Sequence, residues 1–335
     1  MRAPSNLAAV TLLLAPMSVN AQRLEAAEIA PVQDGATMGD DAVPAPPFSI
    51  SSDAQVRANA LRNTEVPVPV IGADGLEDGE RRVPRDYLGI GIGLISVPDY
   101  NGSNTRRRIP GGLIRARISG YAISSRGSNL QIDLLRQIRG ADTDWKLGPI
   151  VNIRSDRARS VHDPIVALLG ERGTAIEAGL FAGVSHNGVI TSAYDQLGAR
   201  VTFLQDVSGE HGSWILSPSV DYGTPLSRHS FVGLSASVNI YGPGFGAHYF
   251  DIDAAGAARS GLPIYAGAGD RATLGKATFG VALAHAISGD LRQGLLIVGG
   301  AQYGRLLGNY AQSPIVATRG DADQWIGGLG LAYQF

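Results

Sequence analysis

From Asp86 to the C-terminus the chain alternates apolar with polar or small residues at a period of two. Leu88, Ile90, Ile92 and Leu94 alternate with Gly89, Gly91 and Gly93. Trp145, Leu147, Val151 and Ile153 alternate with Lys146, Gly148, Asn152 and Arg154. The same holds for Ile176 to Val184, Leu197 to Phe203, Val232 to Ile240 and Ala277 to Leu283. In the final stretch, Trp325, Leu329, Leu331, Tyr333 and Phe335 share one parity, and Gly328, Gly330 and Ala332 share the other. A period of two puts each apolar set on one face of a strand.

A soluble sandwich alternates too, so the content of the second face decides. That face is Gly, Ser and Thr, with charges (Lys146, Glu177, Arg200, Asp221, Lys276) falling on it singly. This suits the interior of a modest barrel with an apolar outer wall. Short turn signals at Asn187-Gly188 and Ser288-Gly289-Asp290 alternate with long connections at Pro98 to Thr105, Ser155 to Arg172, Gly242 to Asp270 and Leu307 to Asp321. Short turns on one side and long loops on the other are the pattern of outer-membrane barrels. The expectation is an all-β fold, a closed antiparallel transmembrane β-barrel of about twelve strands, with ten as the alternative. The ambiguity sits at Ile109 to Arg139, where Ser119-Gly120 reads as a turn or as mid-strand.

The N-terminus adds location. Arg2, the apolar Leu7 to Leu14 and the small-x-small site Val19-Asn20-Ala21 read as a secretory signal peptide over residues 1–21. Residues 22–85 are rich in Pro, Ala, Asp and Glu, with PAPP at Pro44 to Pro47, and carry few large apolar side chains. Such composition does not drive packing, so this segment is expected to be a disordered periplasmic arm. A spacer is preferred over a tether or docking segment. The barrel then occupies 86–335.

Composition agrees. The chain is 44% hydrophobic with 44 glycines and only 17% charged residues, against roughly a quarter charged in soluble domains. It has no cysteine, which excludes disulfides and thiolate chemistry. It has no polybasic tract of the kind nucleic acid requires.

The terminal strand resembles the closing strand of bacterial outer-membrane barrels, whose last aromatic is read by the barrel-assembly machinery; Trp325, Leu329, Leu331, Tyr333 and Phe335 carry that likeness. The loops carry another. Pro98-Asp99-Tyr100-Asn101-Gly102-Ser103, Ser260-Gly261-Leu262-Pro263-Ile264-Tyr265 and Ser313-Pro314-Ile315-Val316, in this order with Gly148-Pro149, Glu177-Ala178-Gly179 and Tyr303 to Gly308, resemble the MipA/OmpV family over about Asp86 to Phe335. The resemblance implies a barrel in the outer membrane with no enzymatic activity and no cofactor. It further implies a scaffold bridging a lytic transglycosylase and a murein synthase, with outer-membrane lipid and lipopolysaccharide as surroundings. The Pro-rich arm departs from the family pattern, which leaves the partners open. The alternatives are a narrow channel for small solutes and a lipid-modifying barrel enzyme.

Several residue groups suggest chemistry. His211, Asp206 and Ser213 lie close in sequence at a loop, as a hydrolytic triad requires, but no Gly-x-Ser-x-Gly elbow accompanies them. His248, Asp251 and Asp253 have ligand types for a cation at no established spacing. Arg106, Arg107 and Arg108 fall at an outer loop end, where lipopolysaccharide phosphates would lie. Gly89, Gly91 and Gly93 are spaced wrongly for a dinucleotide loop. Trp145, Trp214, Trp325, Tyr222 and Tyr333 read as an interfacial girdle. Leu262, Ile264 and Tyr265 are expected to need burial, so the Ser260–Tyr265 motif reads first as packing.

Overall fold

The computed structural model describes residues 86–136, 142–159 and 161–335. The expected signal peptide and Pro-rich arm lie outside the described residues. Twelve strands close into an antiparallel barrel in which each neighbours the next in sequence and β1 meets β12. They are β1 (Tyr87–Pro98), β2 (Arg106–Ile118), β3 (Tyr121–Arg126), β4 (Asn129–Asp133), β5 (Thr143–Arg154), β6 (Ala175–Asn187), β7 (Gln196–Asp206), β8 (Trp214–Pro225), β9 (Ser230–Tyr241), β10 (Thr273–Ala286), β11 (Gly294–Leu306) and β12 (Asp323–Gln334). Among the described residues, five short helices sit in the loops: α1 (Pro164–Ala167), α2 (Pro243–Tyr249), α3 (Ala254–Ser260), α4 (Gly308–Gln312) and α5 (Pro314–Ala317).

Register fixes the faces. Closure pairs Ile92 with Leu331 and Leu94 with Leu329, and β11 pairs Tyr303 with Trp325. These outward side chains remain bare of protein: Ile92 is 75% exposed, Leu94 64% and Leu329 63%. A contiguous apolar surface of this kind belongs against lipid. Closure also pairs every backbone edge there, which hydrocarbon demands. Phe335 ends the seam, its N–H donating to the Leu88 carbonyl at 2.9 Å. Inward positions hold Asn152, Thr202, Ser217, Ser237, Asn239 and Gln302, the small polar face anticipated from composition.

The ambiguous region resolves as a short hairpin. Ser119-Gly120 is a turn, with both residues at positive φ, and β3 and β4 have only 6 and 5 residues. β3 therefore pairs only Arg115–Ile118 of β2. Beyond that ladder, the Ile114 N–H donates to the Ser125 hydroxyl at 2.8 Å.

Candidate functional site: a loop cap over a polar chamber

Strand direction sorts the connections. The start of β1, Phe335 and the β2–β3, β6–β7, β8–β9 and β10–β11 connections lie at one rim; the long β1–β2, β5–β6, β9–β10 and β11–β12 loops lie at the other, with the shorter β3–β4 and β7–β8 connections. At the long-loop rim the loops fold together. The core there joins Tyr100, Val166, Phe245, Phe250, Tyr310 and Ile315, all at most 3% exposed, to wall residues Phe181, Ile215 and Tyr241. Tyr241, the last residue of β9, stacks on Phe245 at 4.0 Å and meets Tyr310 edge-on at 5.2 Å. Aromatic pairs at such separations add to the energy of area burial.

Polar bonds tie each loop to another. Asn101 N–H donates to Asp156 Oδ1 at 3.1 Å, and His162 N–H to Asp99 Oδ2 at 2.7 Å. The Asp321 N–H donates to the Gly102 carbonyl at 2.8 Å. Ser313 Oγ donates to the Phe250 carbonyl at 2.5 Å, and the Tyr265 hydroxyl to the Asn309 carbonyl at 2.6 Å. Arg319 pairs with Asp163 at 2.8 Å. That carboxylate, opposed by burial, is lowered by the Val166 and Ile165 N–H groups it caps and by Arg319. Gly102 makes the first turn possible: its φ is +96°, and a Cβ would lie 2.5 Å from Val316 Cγ2.

Beneath the cap, two adjoining recesses of about 680 and 710 Å³, each open in part to solvent, share Asn239 and Gln302. Their walls carry Asn101, Asn152, Arg200, Asp221 and Lys276. Where wall and cap meet, Glu177 is fully buried. It accepts from Arg154 Nε at 2.6 Å, Asn152 Nδ2 at 2.6 Å and His211 Nε2 at 3.1 Å. Arg154 lies 5.1 Å from the Phe245 ring centre, so the cluster also touches the cap. A burial this complete is tolerated because charge and hydrogen bonds are matched.

The residues singled out from sequence fall as follows. Asp206 does not orient His211. Its Oδ2 accepts the His211 and Gly212 backbone N–H groups at 2.7 and 2.8 Å, which shapes the loop. The ring of His211 instead faces Glu177, and its Nδ1 accepts the Ser213 N–H at 3.2 Å. No triad forms. Glu177 is the partner that sequence proximity hid. His248, Asp251 and Asp253 do not converge: His248 faces Glu210 at 3.1 Å, Asp251 accepts the Ala268 and Gly269 N–H groups, and Asp253 caps α3. Burial, and then Arg172, push His248 down to about 4. Arg106 and Arg108 face outward and are exposed, but Arg107 is a correction: by register it points inward, beside Asp99 at 3.6 Å. In the 260–265 motif, Gly261 ends α3 in the left-handed conformation and Leu262 is buried, whereas Ile264 is 65% exposed, against expectation. The Tyr265–Ile252 bridge holds the chain extended there, so neighbouring side chains alternate: Tyr265 packs on the core and Ile264 turns out. Ser260 Oγ donates to the Gly256 carbonyl. Pro98 closes β1 and Pro314 opens α5.

No match to a curated protein was found. Among solved structures, the chain overlaps the toluene transporter TodX of Pseudomonas putida at 9% identity and a TM-score of 0.34, over 83% of this chain and 96% of that one. It overlaps the anion-selective porin from Comamonas acidovorans at 9% identity and a TM-score of 0.30, over 73% and 74%. Neither likeness is close enough to bear on function. The sequence profile of MltA-interacting protein MipA, in contrast, matches residues 90–335, from within the first strand to the terminal phenylalanine, and the chain belongs to this family of outer-membrane barrels.

Proposed function

We propose that the protein is a non-enzymatic scaffold of the outer membrane, a barrel closed by its own loops and used as a docking platform for murein-processing enzymes. The family to which it belongs is described by an interaction with MltA, and the family resemblance implies that this partner is a lytic transglycosylase. The observation that best supports the reading is the cap. Its loops share one buried core with the wall, including Phe245, Tyr249 and Tyr310. A transporter would be expected to leave that rim passable.

The chemistry of His211 supports the non-enzymatic part. Both ring nitrogens are engaged, with Glu177 and with the Ser213 N–H, so neither is available to take a proton from a nucleophile. A narrow channel is the second reading, favoured by the polar chamber under the cap. Two experiments separate them. Crosslinking in cells, followed by purification of the full chain and of a variant lacking residues 22–85, should capture lytic transglycosylases or murein synthases. Capture of lipopolysaccharide and assembly factors alone would remove the scaffold reading. Planar bilayers should show no steady conductance; stable single-channel steps would establish the channel instead.

A further inference from the structure

The β5–β6 loop holds a residue that the cap's architecture does not explain. Arg157 is 3% exposed, yet among the described residues Nε, Nη1 and Nη2 all lack a hydrogen-bond acceptor. Its backbone is in the left-handed region at φ +53°, where a non-glycine residue is strained. The position is held firmly. The Arg157 carbonyl accepts the Arg172 N–H at 2.7 Å, and its neighbour Asp156 accepts the Asn101 N–H at 3.1 Å.

The surroundings repeat the theme. Arg172 is close enough to Arg157 for the two like charges to oppose each other, and its Nε is also buried without an acceptor. The Tyr249 hydroxyl, on α2, is buried without a partner as well, and Tyr249 lies within electrostatic range of both arginines. The nearby carboxylates are Asp156, which Asn101 occupies in part, Asp253, which acts on Arg172 and accepts the Gly256 N–H at 2.6 Å, and Glu210, which faces His248 at 3.1 Å and accepts the Gly173 N–H at 2.5 Å. Burial pulls the Arg157 guanidinium down only to about 10, so it keeps its charge at neutral pH.

A guanidinium has five N–H donors in a fixed fork suited to oxyanions. Burying one uncompensated is among the most costly things a fold can do. An anion between two such forks would satisfy the donors and cancel their repulsion. We propose that Arg157 and Arg172, with the Tyr249 hydroxyl, form an oxyanion site inside the cap that takes a phosphate group. This site is independent of whether the barrel scaffolds or conducts.

The test uses the purified full chain folded in phosphate-free detergent, with inorganic phosphate as the probe and chloride at matched ionic strength as the control. Wild type should bind phosphate saturably in equilibrium dialysis and gain thermal stability with it. Arg157→Asn keeps a residue that accepts positive φ. It should weaken phosphate binding at least about tenfold, roughly the worth of one charge-assisted bond. Without phosphate, its melting point should equal or exceed that of wild type, because a buried unpaired charge is gone. If Arg157→Asn does not fold, Arg172→Gln serves in its place with the same expected loss. No saturable binding by wild type, or equal binding by a folded variant, would overturn the proposal. A second arm compares diphosphorylated with dephosphorylated lipid A in micelles. Phosphate-dependent capture lost in Arg157→Asn supports the site with a lipid headgroup as its source; capture of inorganic phosphate alone supports it with a soluble one.

Discussion

Replacing Glu177 by Gln tests whether the junction between wall and cap is as dry as the structure makes it. The carboxylate faces the Arg154 guanidinium through two bonds, at 2.6 and 3.2 Å, and accepts from Asn152 and His211 besides. An amide keeps one accepting oxygen, but its NH₂ would face donors, and the Arg154 charge would stay buried without a counterion. Removing one partner of a buried pair costs about 3–5 kcal/mol, which is about 150-fold to several thousandfold in the folding equilibrium. The assay is reversible urea unfolding of protein folded into phospholipid vesicles, followed by fluorescence of the three tryptophans. A control separates charge from geometry. Arg154→Met combined with Glu177→Gln removes both charges, and should recover to within about 1–2 kcal/mol of wild type, because no uncompensated charge is left buried and the amide oxygen still accepts from Asn152 or His211. A loss below about 1 kcal/mol for Glu177→Gln alone would be the value of an exposed pair. That result would mean that water reaches the guanidinium and that the cap does not seal the wall.

Three further outcomes are expected. Gly246→Ala places a Cβ 1.9 Å from the Ala268 carbonyl oxygen, so α2 must move off the 266–269 segment; the barrel should still fold while bilayer recordings gain a conductance absent from wild type, and an unchanged recording would argue that α2 does not seal the chamber. Leu329→Arg puts a charge on the lipid face in the middle of β12 and should cost about 2–4 kcal/mol in vesicle unfolding, whereas a cost near zero would place that face in water. His248 is neutral in the fold down to about 4 and titrates at its ordinary 6.5 when unfolded. The unfolded state therefore binds the extra proton in between, and stability should fall as pH falls from about 6.5 to about 4; His248→Gln should flatten the unfolding midpoint across that window, and an unchanged slope would clear His248 of the effect.

Most of the wall was legible because a strand in a barrel sees only two environments. Parity alone put Ile92, Leu180, Val201 and Leu331 outward and Lys146, Glu177 and Arg200 inward, where the register places them. The same parity carried a signal that was missed: Arg107 alternates with Arg106 and Arg108, so three consecutive arginines could not share one face. The cap was not legible in this way. Its contacts join residues far apart in sequence, such as Tyr100 with Ile315 and Asp163 with Arg319. No periodicity records a pairing between loops. His211 shows the cost of relying on proximity: Asp206 lies near in sequence and shapes the loop backbone, while the carboxylate that meets the ring is on the neighbouring strand. A hint lay in Glu177 itself, an inward carboxylate at the loop end of its strand, which must find a partner if it is buried.

The motifs that carried the family resemblance now have a physical meaning, and it narrows where docking can occur. Tyr100, Leu262, Ser313 and Pro314 are buried within the cap, and Gly102 holds the tight approach to Val316. These residues build the lid; they present little to a partner. Sharing them transmits a closed barrel, but by itself it does not transmit a binding surface. If the protein scaffolds murein enzymes, the contact has to be made by other groups. The rim of short turns is the natural place, because it lies opposite the cap, and its β6–β7 connection is held in shape: Asp195 gathers the Val189 and Ile190 N–H groups and the Tyr222 hydroxyl at 2.6, 2.9 and 3.0 Å. Docking there would leave the cap untouched. Loosening the cap through Gly246→Ala should then alter conductance without altering partner capture, and a variant that lost both at once would show that the lid, not the opposite rim, holds the partner.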